Sequence, residues 1–140
     1  VHSVMSAEQV QQVQDLIKDV PVAEHVMKYV LRLVRATRMP DRDEPDQRPE
    51  FCRKYLAWGA GPRASQYLVM AGKARAIIHG RTHVTAEDIQ AIVHPVLRHR
   101  LITNFNAEAE GIDTDDLIDQ LLEHTSVEGE HDKQMSQVMR

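Results

Sequence analysis

With 140 residues, 42% of them hydrophobic and 27% charged, the chain is the size of one globular domain and should bury one core. No apolar run approaches the ~18 residues that a membrane span needs, and "VHSVMSAEQV" at the amino end has neither a basic leader nor a hydrophobic signal core, so a cytoplasmic setting is expected; the lone Cys52 excludes an internal disulfide. The net charge of −4 conceals a segregation: residues 53–100 carry eight basic and two acidic side chains, and residues 101–140 two basic and ten acidic, so the middle block favours an anionic ligand.

Ser6 followed by Gln9 is a capping-box pattern, and Val10, Val13, Ile17 and Val20 recur at helical spacing, predicting a first helix over about 7–18. Pro21 ends it. Val22, Val26, Tyr29, Val30, Leu33 and Val34 then form the stripe of an amphipathic second helix, about 22–37. Residues 39–50, "MPDRDEPDQRPE", hold three prolines, many charges and no apolar period, and are expected to form an exposed loop. Its length is that of loops with a function or a neighbour to touch. "FCRKYLAW" after it fits either a short helix or an extended segment.

Pro62 stands where proline is best tolerated, at the first position of a third helix, about 62–79. Tyr67, Ala71, Ala74 and Ile78 are expected on its buried face, flanked by Leu68 and Ile77, with Gly80 as its stop. Small residues at 64, 71, 72, 74 and 76 would let another helix approach closely. Thr85 with Asp88 caps a fourth helix, about 86–100, with Ile89, Ile92, Val93, Val96 and Leu97 as its stripe and Pro95 expected to kink or divide it. "LITNFNAEAEGI" fits an extended segment or a loop. Thr114 opens a fifth helix, about 114–124, burying Leu117, Ile118, Leu121 and Leu122, and residues 126–140 lack a stripe, as a disordered tail would. The fold class is therefore all-α, a bundle of about five helices spanning 3–125.

The informative junction is "WGAGPRAS". A helix amino terminus offers N–H groups without intrahelical partners and a partial positive charge, and so attracts anions. Gly59, Ala60, Gly61 and Pro62 shape the turn, and Arg63 adds a guanidinium able to grip phosphate oxygens in two hydrogen bonds. Ordinary loop punctuation, with Arg63 solvated or paired to a carboxylate, remains the competing account of the spacing alone.

"GAGPRAS" before an alanine-rich helix resembles the sensor 2 motif of the MoxR family of AAA+ ATPases, usually Gly-Ala-Ser-Pro-Arg-Ala. "VPVAEHVMKYVLRLVRATR", "KARAIIHGRTHVTAEDIQAIVHPVLRHRL" and "IDTDDLIDQLL" also look like that family's C-terminal lid, in the same order. The resemblance implies a helical lid beside an ATP-binding core, with Arg63 as the sensor 2 arginine that reaches the ATP γ-phosphate. It further implies a parent of ring form, commonly hexameric, that uses ATP and Mg to remodel client proteins, often alongside proteins with a von Willebrand A domain. Gly61 departs from the usual serine and removes a hydroxyl that could cap the helix.

The chain has no G-x-x-x-x-G-K-[ST] phosphate loop and no strand ending in paired acids, so by itself it is not expected to hydrolyse ATP. No metal site is expected either: His79 and His83 have a helical zinc spacing, but Gly80 should end the helix between them, and no further ligand completes a tetrahedral set. His94 and His99 read as surface or packing residues. "LRHR" (97–100) fits a solvated basic face, a core contact or an internal hydrogen-bonding set. Neither Cys52 nor Ser65 has the partners of a nucleophile. A protein-interacting helical module without a nucleotide role is the alternative function. Nucleic-acid binding is disfavoured by a pI of about 6.0 and few aromatic residues.

Overall fold

Burial falls where the aliphatic stripes converge, and the computed structural model, which describes residues 3–127, shows seven helices among them. They are α1 (Ala7–Asp19), α2 (Glu24–Thr37), α3 (Glu50–Tyr55), α4 (Pro62–Ile78), α5 (Ala86–Leu97), α6 (Phe105–Glu110) and α7 (Thr114–His124), with a two-stranded antiparallel sheet of β1 (Leu56–Trp58) and β2 (Ile102–Thr103). The all-α class holds, with two short helices and the small sheet added to the five helices expected. Most of the tail expected at 126–140 lies outside the described residues.

Local signals explain most boundaries. Ser6, Thr85 and Asp113 open α1, α5 and α7 with reciprocal capping boxes, and Asn104 caps α6 by accepting from the Ala107 N–H at 3.2 Å. Gly80, at φ +68°, ends α4 in a Schellman turn: its N–H donates to the Ile77 carbonyl and the Arg81 N–H to that of Ala76. α2 starts at Glu24 rather than 22 because Val22 is extended, bridging to Val84. α5 continues through Pro95 for two residues and stops at Leu97, short of 100, where the chain turns.

"FCRKYLAW" is both alternatives in succession, α3 and then β1. β1 pairs Leu56 with Thr103 and Trp58 with Ile102, a two-against-one register of the β-bulge kind. The Asn104 N–H donates to the Tyr55 carbonyl at 2.8 Å and its side-chain amide to that of Lys54 at 2.8 Å, fastening β2 and α6 to the α3–β1 junction.

The core joins α2 (Val26, Tyr29, Val30, Leu33, Val34), α4, α5 (Ile89, Val93, Leu97) and α7 (Leu117, Ile118, Leu121). Two expected faces are corrected. α4 buries Ala64, Leu68, Gly72 and Ala76, leaving Tyr67 and Ile78 exposed. A Cβ at Gly72 would sit 2.8 Å from Ile89 Cδ1, so this close α4–α5 contact selects the row of small residues. Tyr67 lies instead at the margin, under the Arg100 guanidinium, 4.6 Å from the ring centroid. The α1 stripe is not buried: Val10 and Val13 are exposed, α1 contains no buried residue, and only Val20 at its end joins the core.

Candidate functional site

The glycine-flanked turn between β1 and α4 is built by contact with the end of α2. A Cβ at Gly59 would lie 1.7 Å from the Thr37 carbonyl oxygen, so only glycine fits there. The buried Thr37 hydroxyl donates to the Val34 carbonyl (2.8 Å) and accepts from the Ala60 N–H (3.0 Å). Ala60 and Ala64 are buried on either side, pinning the turn and the first turn of α4 to the core.

Gly61 is the N-cap of α4 and supplies no side-chain cap; nothing lies within 4 Å of where its Cβ would be. Pro62 follows at the first helical position, and no acidic side chain occupies the first turn. The helix thus begins with neither hydroxyl nor carboxylate to serve its N–H groups, and Arg63 stands exposed on that turn.

Most other cations of the middle block are engaged. Arg81 forks onto Asp88, with Arg75 at 3.6 Å from the same carboxylate. Arg98 forks onto Asp115 at 2.7 Å through both nitrogens, Lys54 pairs with Glu110, Lys73 donates to the Lys18 carbonyl, and Arg53 acts electrostatically on Asp46. Arg100 donates to the Val96 carbonyl and contacts the His99 ring, so both arginines of "LRHR" are hydrogen-bonded within the chain while Arg98 and His99 stay exposed. Of the eight basic side chains at 53–100, Arg63 and Arg53 are the two without a hydrogen bond or ion pair among the described residues, and Arg63 is the one of them at a helix start.

Elsewhere the titratable groups serve the scaffold. Burial by itself raises the Asp88 carboxyl, but the Thr85 N–H, the Arg81 guanidinium and the Thr85 hydroxyl outweigh it, and the net shift is downward. Burial pushes the Cys52 thiol up to about 12, so it is no thiolate nucleophile at neutral pH. His79 caps α4, and His94 lies 3.0 Å from Asp119. Among the described residues no cluster of three or more His, Cys, Asp or Glu could hold a metal, and no helix is long and apolar enough to cross a membrane.

The glycines and proline mark the turn before Arg63 in the sequence, but nothing there marks Thr37, whose hydroxyl ties that turn to α2. A threonine at a helix end, 22 residues before the glycine it serves, gives no local signal.

Residues 48–121 match the AAA lid domain family. The chain is similar to Chaperone MoxR1 of Mycobacterium tuberculosis (strain ATCC 25618 / H37Rv), 29% identical over 120 residues, which cover 86% of this chain and 31% of that protein. Protein MoxR of Paracoccus denitrificans is 32% identical over 74 residues, 53% of this chain and 22% of that one. A crystal structure at 2.00 Å of a protein from Cytophaga hutchinsonii, described as a candidate ATPase, superposes with a TM-score of 0.79 at 34% identity, covering 90% of this chain and 37% of that one. The chain therefore spans about a third of the length of MoxR1 and of the solved protein.

Proposed function

The chain belongs to the AAA lid domain family and is the lid of a MoxR-type AAA+ protein; from that we propose that Arg63 is its sensor 2 arginine, coupling the nucleotide state of an ATPase core to the position of the lid. One observation carries this reading: Arg63 is exposed and unpaired on the first turn of α4, while six of the seven other cations of its block make a hydrogen bond or ion pair. An unpaired guanidinium at a helix amino terminus is repelled by its own surroundings and gains most from a polyanion brought by another module.

The local chemistry fits ATP with Mg in the parent. ATP when bound supplies the transferable γ-phosphoryl group, and Mg shares its charge. Arg63 would meet the terminal phosphate oxygens and favour the charge they carry before and during transfer, an electrostatic role with no proton transfer. The Gly59–Thr37 contact and the Ala60 hydrogen bond hold the turn, so a shift of the guanidinium on meeting phosphate would pass directly to α2 and α4. The upstream AAA+ core, a ring of six copies, client remodelling of a chaperone kind and partners with von Willebrand A domains belong to the same proposal, as does a cytoplasmic setting.

The test is ATP turnover by the full-length parent. Arg63→Ala is expected to lower it by at least about tenfold, the loss of one charge-assisted contact to the reacting group. Melting of the lid should stay within about 0.5 kcal/mol of wild type. Unchanged turnover would transfer the chain to the second reading, an interaction module, which draws on the exposed Trp58, Ile102 and Phe105 around the small sheet.

A further inference from the structure

A cavity of about 1080 Å³ opens between the end of α2, the loop at 39–49 and the end of α7. Among the described residues, three buried side-chain polar atoms have no hydrogen-bond partner: Arg32 Nε, Arg48 Nη1 and Thr125 Oγ1. All three belong to residues that line this cavity. Buried polar atoms are almost always satisfied, so three orphans on residues of one cavity wall point to a missing partner.

The chemistry of the orphans specifies it. Guanidinium nitrogens donate and never accept, so the partner is an acceptor. Arg48, only 9% exposed, already engages Asp46 through Nε (2.9 Å) and Nη2 (2.7 Å), leaving Nη1 over. Arg32 Nη2 donates to the carbonyls of Ser126 (3.2 Å) and Val127 (2.8 Å), leaving Nε over. Arg35 and Arg38 line the same cavity with no side-chain partner among the described residues. Three carboxylates also line it, those of Asp41, Glu44 and Asp46, the last closed upon Arg48.

We propose that this cavity binds a phosphate-class anion at a site separate from the Arg63 turn. A tetrahedral oxyanion offers acceptor oxygens in several directions and so suits donors carried by α2, the loop and the residue that follows α7; a carboxylate offers two oxygens in one plane. The site does not rest on the sensor 2 reading, although its α2 wall adjoins Thr37, against which Gly59 packs.

The experiment follows the arginine Nε–Hε NMR signals of the full 140-residue chain during titration with inorganic phosphate and with pyrophosphate, at constant ionic strength against chloride. Saturable shifts at Arg32 and Arg48 are expected. Tighter binding of pyrophosphate identifies a polyphosphate ligand, and equal binding a single phosphoryl group. Arg48→Gln should weaken binding about tenfold or more, Thr125→Val should weaken it by a smaller factor without disturbing the Arg48–Asp46 pair, and Arg63→Ala should leave it unchanged. Linear shifts matched by chloride would overturn the proposal. So would saturable binding that appears only after Glu128, Glu130 and Asp132 are neutralised to Gln, Gln and Asn, since the chain's own carboxylates would then be the occupant.

Discussion

Two glycines two positions apart have opposite roles. Gly59 is required by space, because any side chain there meets the Thr37 carbonyl at 1.7 Å, whereas Gly61 has open surroundings and ordinary extended dihedrals (φ −79°, ψ 175°). Gly59→Ala should therefore lower stability by about 2 kcal/mol or more, as overpacking against backbone does. Gly61→Ser should fold normally and gain a few tenths of a kcal/mol from a hydroxyl cap. Thermal or urea unfolding of both variants checks the contrast, and equal effects would contradict it. Arg63 was legible at this scale because proline and glycine punctuation mark a helix start in any context. Its freedom from partners was not legible, because the carboxylates that occupy the other cations lie on distant segments, as Asp115 does for Arg98 and Glu110 for Lys54.

Caps and stripes made the five longer helices readable, since each capping box places its signals within four residues. Which face of α4 is buried was less readable. That helix is apolar or small on nearly every side, and its face is chosen by Ile89 and Val84 pressing on Gly72. The α1 stripe misleads for the opposite reason: its valines repeat correctly, but among the described residues no surface buries them. The short α3 and α6 have too few residues to show a period and depend on Asn104, Gly111 and the β1–β2 pairing.

Two element-scale predictions concern carboxylates. Asp88→Ala removes the capping box of α5 and leaves Arg81 unpaired, and should lower stability by about 2–3 kcal/mol; a loss under about 0.5 kcal/mol in urea unfolding would refute the role. Asp46 is held down at about 2 by side-chain hydrogen bonds from Arg48. Its folded pKa lies below the ordinary value of 3.8, so its contribution is complete above that value and disappears as pH falls toward 2. Carboxyl ¹³C shifts should show Asp46 titrating near 2, and a midpoint near 4 would contradict the pairing.

At the scale of the molecule, folding brings part of the basic middle block against part of the acidic final third. The basic middle block closes on the acidic final third through Arg98–Asp115, Lys54–Glu110 and His94–Asp119, and on its own Asp88 through Arg81 and Arg75. A continuous basic face for nucleic acid is thereby reduced, and the exposed cations left without a hydrogen bond or ion pair in that block, among the described residues, are Arg53 and Arg63. Stability and proposed function are separable on this plan. Leu33→Ala, at a fully buried position, should lower stability by about 2–5 kcal/mol without altering the chemistry of the turn. Unfolding of that variant together with phosphate titration of its folded fraction would show whether packing and anion chemistry divide in this way.

The most direct measurement compares ATP with ADP binding by the full-length parent carrying Arg63 or Arg63→Ala. Since Arg63 is assigned to the terminal phosphate, the substitution should weaken ATP binding by about tenfold or more while changing ADP binding little. An ATP-to-ADP preference that survives the substitution intact would contradict the assignment.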